Sequence, residues 1–186
     1  LDVFFGTDYH SHLGTRRGGM VLFDKKEGFQ RQIHNIENTP FRTKFERDLA
    51  DFRGHAGLGC ISDSDPQPLL VRSHLGLYAI VTVGIINNTD ELVKAYLSDK
   101  GQQFLTLSSG RVNVTELTAA LINQENDLVS GILHAMEVID GSMTILILTE
   151  EGELIAARDS MGRLPVLIGQ REDGYCVSFE SFAYHK

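Results

Sequence analysis

The 186-residue chain has no tryptophan, only two cysteines and four prolines, and 17 Lys and Arg against 25 Asp and Glu. Two cysteines, Cys60 and Cys176, do not make the framework of a disulfide-stabilised secreted domain. There is no Cys-x-x-Cys or His-Glu-x-x-His spacing to suggest a metal site. His10-Ser11-His12 could place two imidazoles on one strand face, but an exposed or locally bonded pair is the commoner outcome, and no metal is expected. The formal charge of -8 argues against a nucleic-acid or anionic-membrane binder, because phosphate binding needs clustered positive charge. The densest basic spot, Arg16-Arg17, is only a pair. Long hydrophobic runs are missing too: Leu75 to Ile86 is interrupted by Gly76, Tyr78, Thr82 and Gly84 and falls short of the ~18 residues of a membrane span. With no signal-like segment at the start, a reducing cytoplasm is the expected compartment.

What is present is ordinary globular composition, 42% hydrophobic and 23% charged. No repeat or Pro/Gly-rich linker divides the chain, so residues 1–186 read as one domain. A helix around Tyr9, His12 and Leu13 is expected after the opening Leu1 to Gly6. Met20 to Phe23 and the alternating Phe29, Arg31, Ile33 and Asn35 predict paired strands. Phe41, Phe45, Leu49 and Phe52 have the spacing of a helix with one apolar face, stopped by Gly54. His55 to Ile61, Leu69 to Arg72 and Leu77 to Ile86 are strand-like, the last β-branched enough for a buried strand. Asn88 with Glu91, Asn113 with Glu116, and Asp127 mark three helix starts. Finally, Met143 to Leu148 with Leu154 to Ala157, and Leu164 to Gly169 with Tyr175 to Phe179, read as two β-hairpins giving four successive antiparallel strands. Arg158 and Asp159 are expected to pair across the bend between them. Strands, then helices, then strands imply an α+β fold with segregated layers.

The text from Ala157-Arg158-Asp159-Ser160-Met161-Gly162-Arg163-Leu164-Pro165 to Gly169, followed by Val177-Ser178-Phe179-Glu180-Ser181-Phe182-Ala183, closely resembles a family fingerprint. Amidophosphoribosyltransferases, which are class II glutamine amidotransferases, read R-D-x-x-G-x-R-P-L-x-x-G and then S-E-S-x-A there. Only the inserted Leu164 departs from it. The resemblance implies the four-layer αββα sandwich of N-terminal-nucleophile hydrolases, two antiparallel sheets covered by helices. It also implies a further phosphoribosyl-transfer domain downstream, a role in purine biosynthesis, glutamine as substrate and no cofactor, and it is compatible with a homo-oligomer.

In that family an N-terminal cysteine attacks the glutamine amide while its own amine acts as base. The resemblance places that cysteine and the first strand ahead of Leu1, so no catalytic residue is expected within the chain. The family's R-G-Q element resembles Arg17-Gly18-Gly19. Its G-x-x-H-x-R-Y and Q-P-F motifs align with Gly57 to Asp63 and Gln67-Pro68-Leu69, which puts Ser62 in the place of the carboxylate-binding arginine and Asp63 beside it. A hydroxyl cannot make the bidentate charged pair of a guanidinium. The oxyanion motif A-H-N-G-N-L aligns with Val81 to Ile86: Thr82 precedes Val83, which replaces the asparagine, and Gly84 is kept. Loss of one oxyanion donor costs about 10² to 10³ in rate. The aspartate of D-S-E aligns with Val114, followed by Thr115. Three polar recognition groups are thus replaced, and weak or lost glutamine hydrolysis is expected. The alternatives are a non-catalytic structural or regulatory module, and a hydrolase of another amide using Ser62, Asp63, Thr82 and Thr115. Against both stands the simpler reading of Thr82 as a strand residue and Thr115 as a neighbour of a helix cap.

Overall fold

The computed structural model describes residues 1–99, 102–105, 107–108 and 110–181. It opens with helix α1 (Asp2–His10) and a 3-10 turn over Ser11–Leu13. The helix therefore begins earlier than the sequence suggested and leaves His12 and Leu13 outside it. Burial of Phe4 and Thr7 on one face, and a Thr7 hydroxyl bond to the Val3 carbonyl, absorb the opening Val3-Phe4-Phe5 run into the helix. His10 and His12 accordingly occupy a helix end and a turn, not a strand.

Strands β1 (Arg17–Asp24) and β2 (Gly28–Asn35) form a hairpin whose turn is tied by the Asp24 carboxylate to the amides of Lys26 and Glu27. Helix α2 (Phe41–Phe45) is only five residues long. Its stacked, buried Phe41 and Phe45 rings, 4.3 Å apart, match the expected apolar face. The helix does not continue to Phe52. Asp48 instead enters a 3-10 turn (Asp48–Ala50) and bonds His34 at 2.6 Å.

Strand β3 (Ala56–Ser62) completes a sheet of order β2-β1-β3. Strands β4 (Leu69–Ser73) and β5 (Gly76–Ile86) are followed by α3 (Thr89–Leu97), a small hairpin β6 (Leu107–Ser108) and β7 (Arg111–Val112), and helices α4 (Val114–Ile122) and α5 (Leu128–Val138). Strands β8 (Gly141–Thr149) and β9 (Leu154–Arg158) then join the second sheet, of order β4-β5-β8-β9. Strands β10 (Leu167–Arg171) and β11 (Gly174–Ser178) pair only with each other among the described residues. The two C-terminal hairpins are therefore split between two sheets rather than forming one run of four strands.

Three apolar clusters stack the layers. Phe4, Met20, Phe41 and Phe45 join α1 and α2 to the first sheet. Val21, Phe23, Leu58 and Cys60 meet Ala79, Val81 and Leu148 between the sheets. Tyr78, Ile80, Met143, Ile145 and Ile147 meet Leu117, Leu121, Ile122, Ile132 and Ala135 beneath α4 and α5. Strand β5 alternates between the last two clusters as a two-residue period requires: Tyr78 and Ile80 face the helices, Ala79 and Val81 the other sheet. Each buried valine, leucine, isoleucine, phenylalanine or methionine here contributes about 1.5–3 kcal/mol. The result is the αββα order of layers.

Helix caps also place the site. Asn113 accepts bonds from the Thr115 and Glu116 amides, and Asp127 from that of Ser130. Asn88 stands at the expected start of α3 but does not cap it with its side chain. It instead donates to the Val138 carbonyl and accepts from the Asp140 amide, which ties the start of α3 to the α5–β8 connection.

Candidate functional site

The alternation along β5 sends Thr82 to the helix side, where its hydroxyl lies 2.7 Å from that of Thr115 in the first turn of α4. Both residues are buried, at 5% and 0% exposure. The Thr82 backbone is clamped as well. Its amide donates to Gln67 Oε1 at 2.7 Å, and Gln67 Nε2 donates to its carbonyl at 3.1 Å. Two residues earlier, the Asp65 carboxylate accepts the Val114 amide at 3.1 Å. Asp65 is 6% exposed, and a carboxylate suits the positive end of a helix.

The 62–68 segment thus binds both β5 and α4. It also presses on β1, because a Cβ at Gly19 would overlap the Gln67 carbonyl oxygen. A glycine is required there by this backbone approach, whatever the chemistry of the site. Gln67 was expected as part of the Q-P-F-like motif. Asp65 was not: Asp-Pro reads as a turn, and nothing local in the sequence signals a buried carboxylate.

Arg17 and Ser62 are partners across the β1–β3 ladder. The neighbouring Asp63 carboxylate accepts the Thr15 amide at 2.6 Å and the Arg16 amide at 3.1 Å. The Thr15 amide above all, with the Arg16 amide and guanidinium adding to it, holds the Asp63 carboxyl below the usual range. The Ser62 hydroxyl accepts the Ser64 amide at 3.3 Å. Asp63 and Ser62 therefore serve a turn, and Asp63 is exposed. Val83 is half-buried on the sheet-facing side of β5, paired with Thr144, and Gly84 is exposed and paired with Met143. A Cβ at Gly84 would overlap the Ser142 carbonyl oxygen, so close strand packing alone accounts for this glycine.

The structure thus binds Thr82, Thr115 and Val114 into one network with Gln67 and Asp65. It ties Ser62 and Asp63 into the adjoining turn opposite Arg17. Thr82 and Thr115 satisfy each other instead of lining an open pocket, so the pair offers no ready nucleophile. Asn113 is fully buried; its side-chain oxygen caps α4 while Nδ2 has no partner among the described residues. Cys60 is buried, and burial pushes its thiol up to about 12, the range of an inert side chain. No group of three or more His, Cys, Asp or Glu able to hold a metal occurs among the described residues.

The C-terminal fingerprint works through backbone contacts. Asp159 does not bridge to Arg158 across the bend; its carboxylate accepts the Met143 amide at 2.8 Å and the Gly162 amide at 2.9 Å. Gly162 has φ 59, a left-handed conformation suited to glycine. Ser178 and Glu180 bond to side chains of α1: His10 Nε2 lies 2.9 Å from Ser178 Oγ, and Tyr9 donates to Glu180 at 3.1 Å. Phe182 and Ala183 lie outside the described residues.

Comparison with known proteins agrees with this architecture. The structure superimposes on glutamine phosphoribosylpyrophosphate amidotransferase from B. subtilis with a TM-score of 0.83 and 27% identity, over 99% of this chain and 40% of that one. A structure described as the allosteric regulatory enzyme of purine biosynthesis gives 0.82 and 26% over the same shares. Curated amidophosphoribosyltransferases from Archaeoglobus fulgidus and Methanocaldococcus jannaschii are 25% and 27% identical over 92% and 97% of the chain. The chain spans 38% and 39% of their lengths. Among the described residues no helix is long and apolar enough to cross a membrane. The glutamine amidotransferase domain model matches residues 56–183, more than half of the chain, and the chain therefore belongs to the glutamine amidotransferase domain family, with the layered fold of its N-terminal-nucleophile hydrolases.

Proposed function

We propose that this chain is the glutaminase-type half of an amidophosphoribosyltransferase-like protein, joined to a phosphoribosyl-transfer domain and descended from a purine-biosynthetic enzyme, whose own glutamine hydrolysis is weak or lost. One observation carries the reading: the positions of the family's recognition arginine, asparagine and aspartate hold Ser62, Val83 and Val114, which are apolar or engaged within the protein, while Arg17 stays exposed on β1. Val83 and Val114 offer no polar side chain, Ser62 is engaged in its turn, and the Val114 amide is taken by Asp65. A zwitterionic amino acid needs counter-charges, since desolvation costs several kcal/mol per ion. The self-satisfied Thr82–Thr115 pair favours the second form of the same reading, a non-catalytic module kept for structure or regulation. A further strand ahead of Leu1 belongs to either form, and it carries a nucleophilic cysteine only in the hydrolytic one. In support, β3 pairs only with β1 among the described residues, which leaves an edge where a further strand would extend the sheet.

The test is glutamate release from glutamine by the full-length protein, with calorimetry for glutamine and glutamate alongside. Release no faster than a protein-free control, and no substrate-like binding, is the expected result. Steady turnover would reject the loss of activity. Binding without turnover would instead select a glutamine-responsive module.

A further inference from the structure

A lone two-stranded hairpin is marginal in water, and among the described residues β10–β11 joins neither large sheet. The segment leaving this hairpin is docked on the last turn of α1. Tyr9 donates to Glu180 Oε2 at 3.1 Å, His10 Nε2 lies 2.9 Å from Ser178 Oγ, and the His10 ring meets Phe179 edge-on at 6.1 Å. At the other end of α1, Asp2 makes an exposed contact with Arg171 at 3.4 Å, worth little in water. His10 Nδ1 is buried and has no partner among the described residues. A neutral imidazole tolerates that position when Nε2–H donates to Ser178 and Nδ1 is a bare acceptor. An imidazolium is disfavoured there, because its second N–H would be buried without an acceptor, a cost the Glu180 carboxylate offsets only in part.

We propose that His10 is a pH-operated latch: neutral, it holds the β10–β11 hairpin against α1, and its protonation releases the hairpin. The groups facing it divide. The Glu180 carboxylate favours the charged ring and His12 opposes it, while burial opposes it most strongly, so its pKa lies below the ordinary 6.5. The Tyr9 phenol, raised by burial and by Glu180, stays protonated throughout this range. A basic group whose docked pKa is depressed binds fewer protons docked than free. Docking is therefore fully stable above the free pKa and weakens as pH falls towards the docked value. The latch is independent of whether the site hydrolyses glutamine.

Hydrogen exchange of the intact protein, followed over residues 167–178 and corrected for the intrinsic pH dependence, tests it between about pH 8 and pH 5. Protection of the hairpin should fall by up to about tenfold per pH unit between the two pKa values, while β8 keeps its own. In His10→Gln, which retains an amide donor and cannot titrate, the pH dependence should vanish. Hairpin protection that does not change with pH, or that falls equally in His10→Gln, overturns the proposal. Should that variant fold poorly, the wild-type imidazole titration read by NMR decides: a pKa below 6.5 supports the latch, and one at or above it overturns it.

Discussion

The Thr82–Thr115 pair separates a structural from a ligand-binding account of this site. Each hydroxyl is the other's partner at 2.7 Å, and the residues are 5% and 0% exposed. Replacing either threonine by valine keeps the shape and strands the remaining hydroxyl in an apolar layer beside Leu117 and Ile80. A buried polar group left unpaired costs about 1–3 kcal/mol. In a domain of this size 1 kcal/mol is about 2–4 °C in Tm, so each single variant should melt roughly 2–12 °C lower. Removing both hydroxyls leaves nothing unpaired, and such replacements are nearly neutral or stabilising. The double variant Thr82→Val/Thr115→Val should therefore melt close to wild type, with a coupling energy of opposite sign to the single losses. Thermal and urea denaturation of the four proteins complete the cycle. A double variant as unstable as the sum of the singles would refute the mutual-satisfaction argument and show that each hydroxyl has a separate partner.

Two further outcomes follow from neighbouring contacts. Asp65→Ala should lower stability by about 1–2 kcal/mol, as the loss of a side-chain acceptor at a helix start does, read as a lower urea midpoint at unchanged m-value. Asp159 is held ionised chiefly by the Met143 amide, with help from that of Gly162, so its pKa is lowered. A depressed carboxyl contributes stability above its unfolded pKa and loses it as pH falls through the folded one. Wild type should consequently lose more stability than Asp159→Asn on acidification below about pH 4, and parallel profiles for the two proteins would count against the contact.

Most of the fold was legible because its signals are local. The β-branched runs of β5 and β8, the alternation in β2, and the Asn113 and Asp127 caps each depend on residues a few positions apart. The errors arose where distant partners decide. The Phe41 to Phe52 spacing is helical, yet the helix stops when Asp48 turns to His34, fourteen residues away. Asn88 has the right company for a cap, but Val138 and Asp140 claim its amide from another part of the chain. Arg158 and Asp159 suggested a charge pair, whereas strand β8 supplied a backbone amide instead.

The site shows the same divide more sharply, and this bears on how replaced motifs should be read. Ser62, Val83 and Val114 announce what is missing at single positions, because a hydroxyl or a methyl in place of a charge or an amide can be seen from sequence. What took over the polar work cannot. Asp65 reaches Val114 across 49 residues and Thr82 reaches Thr115 across 33. Both bonds spend the donors and acceptors that a bound ligand would otherwise engage. Degenerate motifs alone would fit a weakened enzyme whose cavity still binds its substrate poorly. Degenerate motifs together with the internal pairing of Thr82 with Thr115 and of Asp65 with the Val114 amide, which leaves Asn113 Nδ2 as the buried exception there among the described residues, favour retention of the domain as a folded module over retention of its hydrolysis.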